Sequence, residues 1–414
     1  MTKKILYIDG DGPFGGASRS LFEAISAFPK GSVKPYFLAT SGTALEFYRQ
    51  VAIDLIETRG MSKIDNTRFG YYLGVRWLIL LRELFHFPFT IVALLKARKR
   101  WKHFDLIHVN EIVYIIPALL AKLLFRAPLV VHVRSLARND KTSMRTHWIN
   151  AALTRGADAV VTIDETVRDS LPSELPVDVI HNSFTAKRTP KPDLHFISRF
   201  TELRAGSLKV GFVGNLHESK GLFDIFESAK LIHQVRRDVD FVIVGGVTLN
   251  DRGLKAWMLK HAGLAQNVQA ELAARVESEG LSDCFHLMGA TIDIKYVYDQ
   301  LDILLFPSHF DAPGRPVFEA AFSSVPSIVA IKNPGSDTLV HGETGLAIEA
   351  KNPPKLAEAI LYFAENRSEA QRMGNNAKQL AELNFEPATN AHKLMAVYNR
   401  VIQTLNASKI RPPK

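Results

Sequence analysis

The chain has 414 residues, 47% of them hydrophobic, with 51 Lys/Arg against 42 Asp/Glu and a single cysteine. That length favours two or three domains with full hydrophobic cores, and the ordinary composition excludes collagen-like, disordered and disulfide-scaffold classes. The charge is uneven: residues 1–190 carry 26 Lys/Arg against 17 Asp/Glu, and residues 191–414 carry 25 against 25.

The opening MTKKILYIDG lacks the long apolar stretch and small-residue cleavage site of a signal peptide and reads as a buried first strand. Short apolar runs then recur: Ile5–Ile8, Pro35–Ala39, Leu106–Val109, Leu129–Val133, Ala159–Ile163 and Asp178–Ile180. After the Pro- and Lys-containing stretch Lys187–Asp193 the series restarts with Val210–Val213, Phe241–Val244, Phe285–Leu287, Ile303–Phe306, Ser327–Ala330 and Gly345–Ile348. Helical patterns separate these strands, among them Ser18–Phe28, Leu222–Ile232 and Pro387–Leu405. Near-continuous apolar strands alternating with helices imply parallel sheets covered on both faces. The expected fold class is α/β, with two doubly wound domains, 1–190 and 205–386, facing a central cleft. Residues 387–414 form a helix that crosses back to the first domain. Ligands in such sheets bind beyond the carboxyl ends of the strands.

The first strand ends in Asp9-Gly-Asp-Gly-Pro-Phe-Gly-Gly16, just before a helix. Gly10, Gly12 and Gly15 satisfy G-x-G-x-x-G, which raises an NAD-dependent oxidoreductase as an alternative. That fingerprint expects a carboxylate ending the second strand, whereas the sequence there reads Phe37-Leu-Ala-Thr-Ser-Gly42. A second reading lets phosphate approach the amides at Gly15 and Gly16. Asp9-Gly-Asp11 also spells the D-x-D of metal-dependent sugar transferases; it is read as a strand end and turn, and no metal is assigned.

Tyr71–Leu95 is the greasiest region, interrupted by Arg76, Arg82, Glu83 and His86 and broken at Pro88, so no spanning helix of about 20 apolar residues is expected. A basic cluster, Lys96-Ala-Arg-Lys-Arg-Trp-Lys102, follows directly. Basic residues beside apolar ones suit an anionic membrane surface, and a buried helix with a solvated basic end suits the pattern equally. No motif supports nucleic acid.

In the second half, Val210-Gly-Phe-Val-Gly-Asn-Leu-His-Glu-Ser-Lys-Gly221 puts Lys220 between a strand and a helix, a placement suited to a diphosphate. Gly246 ends another strand. Asp311 and Glu319 lie eight positions apart in FDAPGRPVFEA, with Gly314 and Arg315 between them, and Glu319 is placed in a first helical turn.

In order and spacing these motifs resemble family 4 of the retaining GT-B glycosyltransferases, most specifically across residues 210–346. The resemblance implies two Rossmann-like domains and a metal-independent, hexosyltransferase-like enzyme of polysaccharide biosynthesis that needs no cofactor. The donor would be a UDP- or GDP-linked sugar; the acceptor would be lipid-linked or a cell-envelope glycan. The family's G-R-x-x-x-x-K-G falls on Gly214–Gly221, giving Lys220 the donor diphosphate and putting Asn215 where the family has arginine. Arg315 is a candidate for the missing cation. The family's E-x7-E falls on Asp311, facing sugar hydroxyls, and Glu319, facing the ribose. His341–Gly345 matches its D-G-x-x-G turn, and Val179–Ser183 loosely matches V-x-P-N-G. Gly15 and Gly16 fall on its phosphate loop. The family's active-site histidine falls on Arg134, with His132 two residues earlier on the same strand face. Lys220, Arg134, His132 and Asp311 are thus the catalytic candidates, and Gly15, Gly16, Gly214, Asn215, Lys220, Gly246, Gly314, Arg315 and Glu319 the donor-binding ones. Lone Cys284 and the absence of a spanning run suit a cytoplasmic enzyme held peripherally at the inner membrane face through residues 71–102. A degenerate nucleotide-sugar-binding module without turnover is the remaining alternative.

Overall fold

The computed structural model describes residues 2–68, 79–140, 142–185, 192–246 and 268–410. It divides into two compact units, residues 1–185 with 385–414 and residues 186–384. Much of 71–95 falls within the described residues as a helix, but 71–78 lies outside them, as does most of the stretch Lys187–Asp193.

Seven strands form the sheet of the first unit: β1 (Lys3–Asp9), β2 (Val33–Thr40), β3 (Asp54–Thr58), β4 (Leu106–Val109), β5 (Leu129–Val133), β6 (Ala159–Thr162) and β7 (Val177–Val179). All pairs are parallel, in the order β3-β2-β1-β4-β5-β6-β7. Ile5, Leu6, Tyr7 and Ile8 are wholly buried, as expected of a central strand covered on both faces. Helices α1 (Gly16–Ser26), α2 (Ala44–Val51), α3 (Ile79–Trp101), α4 (Ile115–Phe125), α5 (Met144–Gly156) and α6 (Glu165–Asp169) intervene. Strand β3 escapes the apolar-run reading because only Leu55 and Ile56 of its five residues are aliphatic; as an edge strand it is fixed by register, Tyr36 opposite Asp54 through Thr40 opposite Thr58. The expected break at Pro88 is also corrected. Helix α3 runs through Pro88, because packing of its inner face holds the helix across the one hydrogen bond proline removes.

The second unit carries six parallel strands: β8 (Leu208–Val213), β9 (Val239–Val244), β10 (Phe285–Gly289), β11 (Ile303–Phe306), β12 (Ser327–Ala330) and β13 (Gly345–Ile348). Their order is β10-β9-β8-β11-β12-β13. Around them lie α7 (Leu194–Thr201), α8 (Leu222–Val235), α9 (Val268–Ser278), α10 (Ile294–Gln300), α11 (Arg315–Ala321), α12 (Pro353–Glu365) and α13 (Arg367–Asn384). The last helix, α14 (Pro387–Ile410), rejoins the first unit. Its Leu394, Val397, Tyr398 and Val401 enter the core around Ile5, Tyr7 and Phe37, and Arg400 donates to Asp178 Oδ1 at 3.1 Å. Counted by unit, the charge asymmetry sharpens to 29 Lys/Arg against 18 Asp/Glu in the first and 22 against 24 in the second.

Each sheet reverses its strand order once, between β1 and β4 and between β8 and β11. At such a switch point the two adjoining loops diverge, leaving room for a ligand beyond the strand ends. In the second unit this geometry demands close loop packing. Gly245 has φ +156°, and a Cβ there would lie 1.8 Å from the Gly214 carbonyl oxygen. Replacing Gly245 with Ala therefore forces the β8 and β9 loops apart and costs about 2–4 kcal/mol of stability in urea unfolding. Gly280→Ala, at φ +69° but facing open space, costs only ~1 kcal/mol of backbone strain.

Candidate active site

In the first unit the glycine-rich loop joins β1 to α1. A Cβ on Gly10 would stand 2.2 Å from the Tyr114 ring, and one on Gly12, at φ +77°, would stand 2.8 Å from the Ser41 carbonyl oxygen. Two of the three glycines that spell a dinucleotide fingerprint are thus required by internal packing. Gly15 differs: it caps α1 with no side-chain bond, and a Cβ there would touch nothing. Gly15 and Gly16 therefore start a helix beside open space, with the Gly15 amide donating to the Pro13 carbonyl at 2.8 Å. Asp9 is buried and accepts from the Ser18 hydroxyl at 2.9 Å and from the Tyr48 hydroxyl; burial, then the charge of Asp11, pushes its carboxyl upward. Asp11 Oδ1 accepts from Tyr114 at 2.7 Å. Both carboxylates of the D-x-D are tied to protein hydroxyls that shape this turn.

Arg134 follows β5 and forms the centre of a polar cluster. Its Nε donates to Asn110 Oδ1 at 2.7 Å, its Nη1 to Asn182 Oδ1 at 2.7 Å, and its Nη2 lies 3.3 Å from His132 Nδ1. A guanidinium only donates, so His132 Nδ1 accepts and the neutral ring carries its proton on Nε2, which has no partner among the described residues. Burial, then Arg134, then His108, holds the His132 pKa well below its usual value. His108, on β4, is driven down to about 3 by burial and by Arg134, and its Nδ1 lies 2.7 Å from the Tyr398 hydroxyl of α14. His132, Arg134, Asn182, Ser183, Ser20 and Asn390 line one small pocket. The structure thus brings together the β5 candidates and the Val179–Ser183 motif, and adds Asn110, Asn182 and Tyr398, to which the sequence reading gave no role. Asn110 stands immediately after β4 at the switch point, and that position was the available signal.

In the second unit the 214–221 loop and the loop after β11 are knitted together. The His309 amide donates to the Ser219 carbonyl at 2.9 Å. Gly221, at φ +76°, lies so close that a Cβ would stand 2.1 Å from the Pro307 carbonyl oxygen. Lys220 ends a single 3-10 turn just before α8, with its ammonium 5.5 Å from the Phe306 ring centre and 5.2 Å from that of Phe310. Burial lowers its pKa, and among the described residues no carboxylate pairs with it. Gly314 caps α11, where a Cβ would meet the Phe306 ring at 2.2 Å.

Glu319 is the fifth residue of α11, which corrects its placement in a first helical turn: the helix begins at Arg315, because Gly314 and Pro316 favour an earlier start. Its buried carboxylate accepts from Tyr298 at 2.9 Å and from Arg315 Nε at 3.0 Å. Arg315 is thereby engaged in an ion pair. Asp311 sits at φ +49° and accepts from the Lys332 amide at 2.9 Å. Asn215 is exposed. Gly246 has only an ordinary 3.5 Å neighbour at its would-be Cβ, so the tight packing belongs to Gly245. Lys220, Gly214, Asp311, Gly314, Arg315 and Glu319 all lie on the two loops of this switch point or on the helix that follows. One trio of metal-ligand types, His233, Asp283 and Cys284, occurs among the described residues. It lies at the amino-terminal end of edge strand β10, away from these loops, where Arg237 bonds the His233 ring and burial pushes the Cys284 thiol up to about 12.

Glu111 offers a pH test of the first unit. It is buried, accepts from the Ile112 amide at 2.7 Å, the Ser135 hydroxyl at 2.7 Å and the Arg134 amide at 3.3 Å, and burial raises its pKa to about 7. The folded state therefore holds a proton that the unfolded chain releases near pH 4.5, so this group's contribution to stability falls as pH rises from about 4.5 to about 7. The fall amounts to roughly 2–4 kcal/mol. Urea unfolding of wild type and Glu111→Gln across that range should show the difference between them changing by this amount, with the wild type losing stability relative to the variant.

Comparison with known proteins places these features in a family. Residues 14–188 match the model for "Glycosyltransferase Family 4" and residues 195–380 that for "Glycosyl transferases group 1". The chain is 26% identical over 308 residues to the lipopolysaccharide core biosynthesis mannosyltransferase LpcC of Rhizobium leguminosarum bv. viciae, covering 74% of this chain and 80% of that protein. It is 22% identical over 307 residues to the glycogen synthase of Mycobacterium tuberculosis, covering 71% and 68% respectively. In fold it is similar to Anabaena Alr3699/HepE, solved in complex with UDP and glucose, with a TM-score of 0.72, 19% identity and 96% and 99% of the two chains covered. The oxidoreductase alternative gives way to these matches, as it does to the packing roles of Gly10 and Gly12: the chain belongs to family 4 of the GT-B glycosyltransferases.

Proposed function

We propose that the protein is a retaining glycosyltransferase that takes a sugar from a UDP- or GDP-linked donor, without metal, and transfers it to a lipid-linked or cell-envelope glycan carried at an anionic membrane surface. The observation that carries this reading is Lys220. A half-buried ammonium bracketed by two aromatic rings, without a carboxylate partner among the described residues, stands at the start of a 14-residue helix. Such a charge awaits an anion, and the helix N-terminus adds further N–H donors. Support also comes from HepE, solved with UDP and with UDP-glucose.

In the reaction the bond from the anomeric carbon to the diphosphate oxygen breaks, and its electron pair stays on the phosphate. The acceptor oxygen bonds to the same face of that carbon, and its proton passes to the departing phosphate oxygen. Lys220 and the loop amides lower the energy of the leaving charge. Glu319, anchored by Tyr298 and Arg315, is read as the group that faces the ribose hydroxyls. Asp311 would face sugar hydroxyls. Arg315, paired with Glu319, contributes less net charge than its position suggests, so the cationic duty falls mainly on Lys220. In the first unit, Arg134 and the neutral His132 are read as acceptor-side groups. His132, lacking a charge, serves as a hydrogen-bonding partner rather than as a preformed acid.

A nucleotide-sugar-binding chain without turnover is the rival reading. Asn215 in place of arginine and the neutralisation of Arg315 favour it. A panel of UDP and GDP sugars, read by thermal shift and by product formation, separates the two. The proposed enzyme is stabilised by one donor and makes product; Lys220→Ala lowers turnover about 10²–10³-fold with an unchanged unfolding temperature in the absence of donor. Stabilisation without product supports the rival, and full turnover by Lys220→Ala contradicts the role of this lysine.

A further inference from the structure

Helix α3 presents its faces in an unusual way. On one face Thr90, Ala93, Leu94, Ala97 and Trp101 are buried, and that face is fully anchored. The Ser62 amide donates to Thr90 Oγ1 at 2.8 Å, the Lys63 amide to Glu83 at 3.2 Å, and Trp101 Nε1 to Asp54 at 2.8 Å. The helix is therefore seated where it belongs. The opposite face should then be polar. Instead Leu81, Leu84, Phe85 and Leu95 are 63%, 61%, 66% and 56% exposed, with Val92 also exposed between them.

Helical geometry places these side chains in one stripe about 100° wide, running about 21 Å from Leu81 to Leu95. The stripe continues into Lys96 and Lys99, both exposed. Neither lysine pairs with a carboxylate among the described residues. The neighbouring cations are differently disposed: Arg100 pairs with Asp54, and Arg98 lies 5.8 Å from the Phe125 ring centre. An apolar strip that ends in uncompensated lysines, on a unit with 29 Lys/Arg against 18 Asp/Glu, is complementary to a surface that is apolar beneath and anionic above.

We infer that the outer face of α3 is a docking surface for an anionic lipid bilayer. The helix lies in the interface plane, with Leu81, Leu84, Phe85, Val92 and Leu95 among the acyl chains and Lys96 and Lys99 at phosphate level. It does not cross: no helix among the described residues is long and apolar enough to span a membrane. This rests on the reading of the acceptor as membrane-borne for its purpose, and names the chemistry of the surface that holds the enzyme beside it.

Flotation of the full chain tests this, using phosphatidylcholine vesicles with and without about a third phosphatidylglycerol. The expected result is binding to the anionic vesicles, weakened by salt. Neutralising Lys96→Ala and Lys99→Ala together lowers the partition about 25-fold, at about five-fold per lysine. Leu84→Ser with Phe85→Ser abolishes it. All four positions are exposed, so both variants should keep the wild-type unfolding temperature and donor-induced stabilisation. Absence of anionic-vesicle binding overturns the inference, as does binding that both variants retain. So does a dimer in light scattering that Leu84→Ser dissociates, because the face then meets a second copy. If wild type floats but no nucleotide sugar stabilises it, the donor reading fails and the docking face stands.

Discussion

The second unit is organised by the contact between two loops at its switch point. The His309 amide reaches the Ser219 carbonyl at 2.9 Å, and Gly221 lies against Pro307 with no room for a side chain. This contact sets where Lys220 can stand, because the residue is the last of a turn pinned on one side by β8 and on the other by the loop after β11. The same loop supplies Phe310, while β11 supplies Phe306, whose ring also occupies the space a Gly314 side chain would need. One packing arrangement therefore fixes the ammonium, its aromatic surroundings and the start of the helix that carries Glu319. Rigid placement of this kind is what electrostatic stabilisation of a leaving group requires, since a charge that must reorganise at the moment of reaction loses most of its effect.

The first unit solves a different problem. Arg134 is held by two asparagine carbonyls and an uncharged histidine, whereas Arg315 is held by the carboxylate of Glu319. Two buried histidines are kept neutral by their burial and by the neighbouring arginine. The final helix takes part, since Tyr398 meets His108 and Asn390 lines the pocket.

Most of the framework was legible in the residues because buried parallel strands are continuous apolar runs, and ten of the thirteen have three or more consecutive aliphatic or aromatic residues or the glycine that ends them. Strand β3 was not legible, since Asp-Leu-Ile-Glu-Thr draws its identity from pairing with β2 rather than from its own pattern. Pro88 misled for a related reason: tertiary anchoring through Thr90 and Trp101 outweighs the local cost of proline. At the candidate site, Lys220, Asp311 and Glu319 could be singled out from the order and spacing of the motifs. The bracket of Phe306 and Phe310, the Tyr298 bond and the Arg315–Glu319 pair were not, because each joins residues brought together by the sheet or by a helical turn whose start depends on Gly314. The glycines divide in the same way. Sequence cannot tell a glycine needed by a neighbouring ring, as at Gly10, from one that leaves open space, as at Gly15.

The central claim is that a diphosphate is gripped at the second switch point by Lys220 and backbone amides, without metal. Calorimetric titration of UDP, UMP, GDP and GMP in the presence of EDTA, on wild type and Lys220→Ala, tests it most directly. The account predicts that one diphosphate binds at least about ten-fold more tightly than its monophosphate, the increment expected of a charge-assisted contact, and that this increment vanishes in Lys220→Ala. Equal affinity for mono- and diphosphate in wild type, or an increment that survives the loss of Lys220, would contradict it.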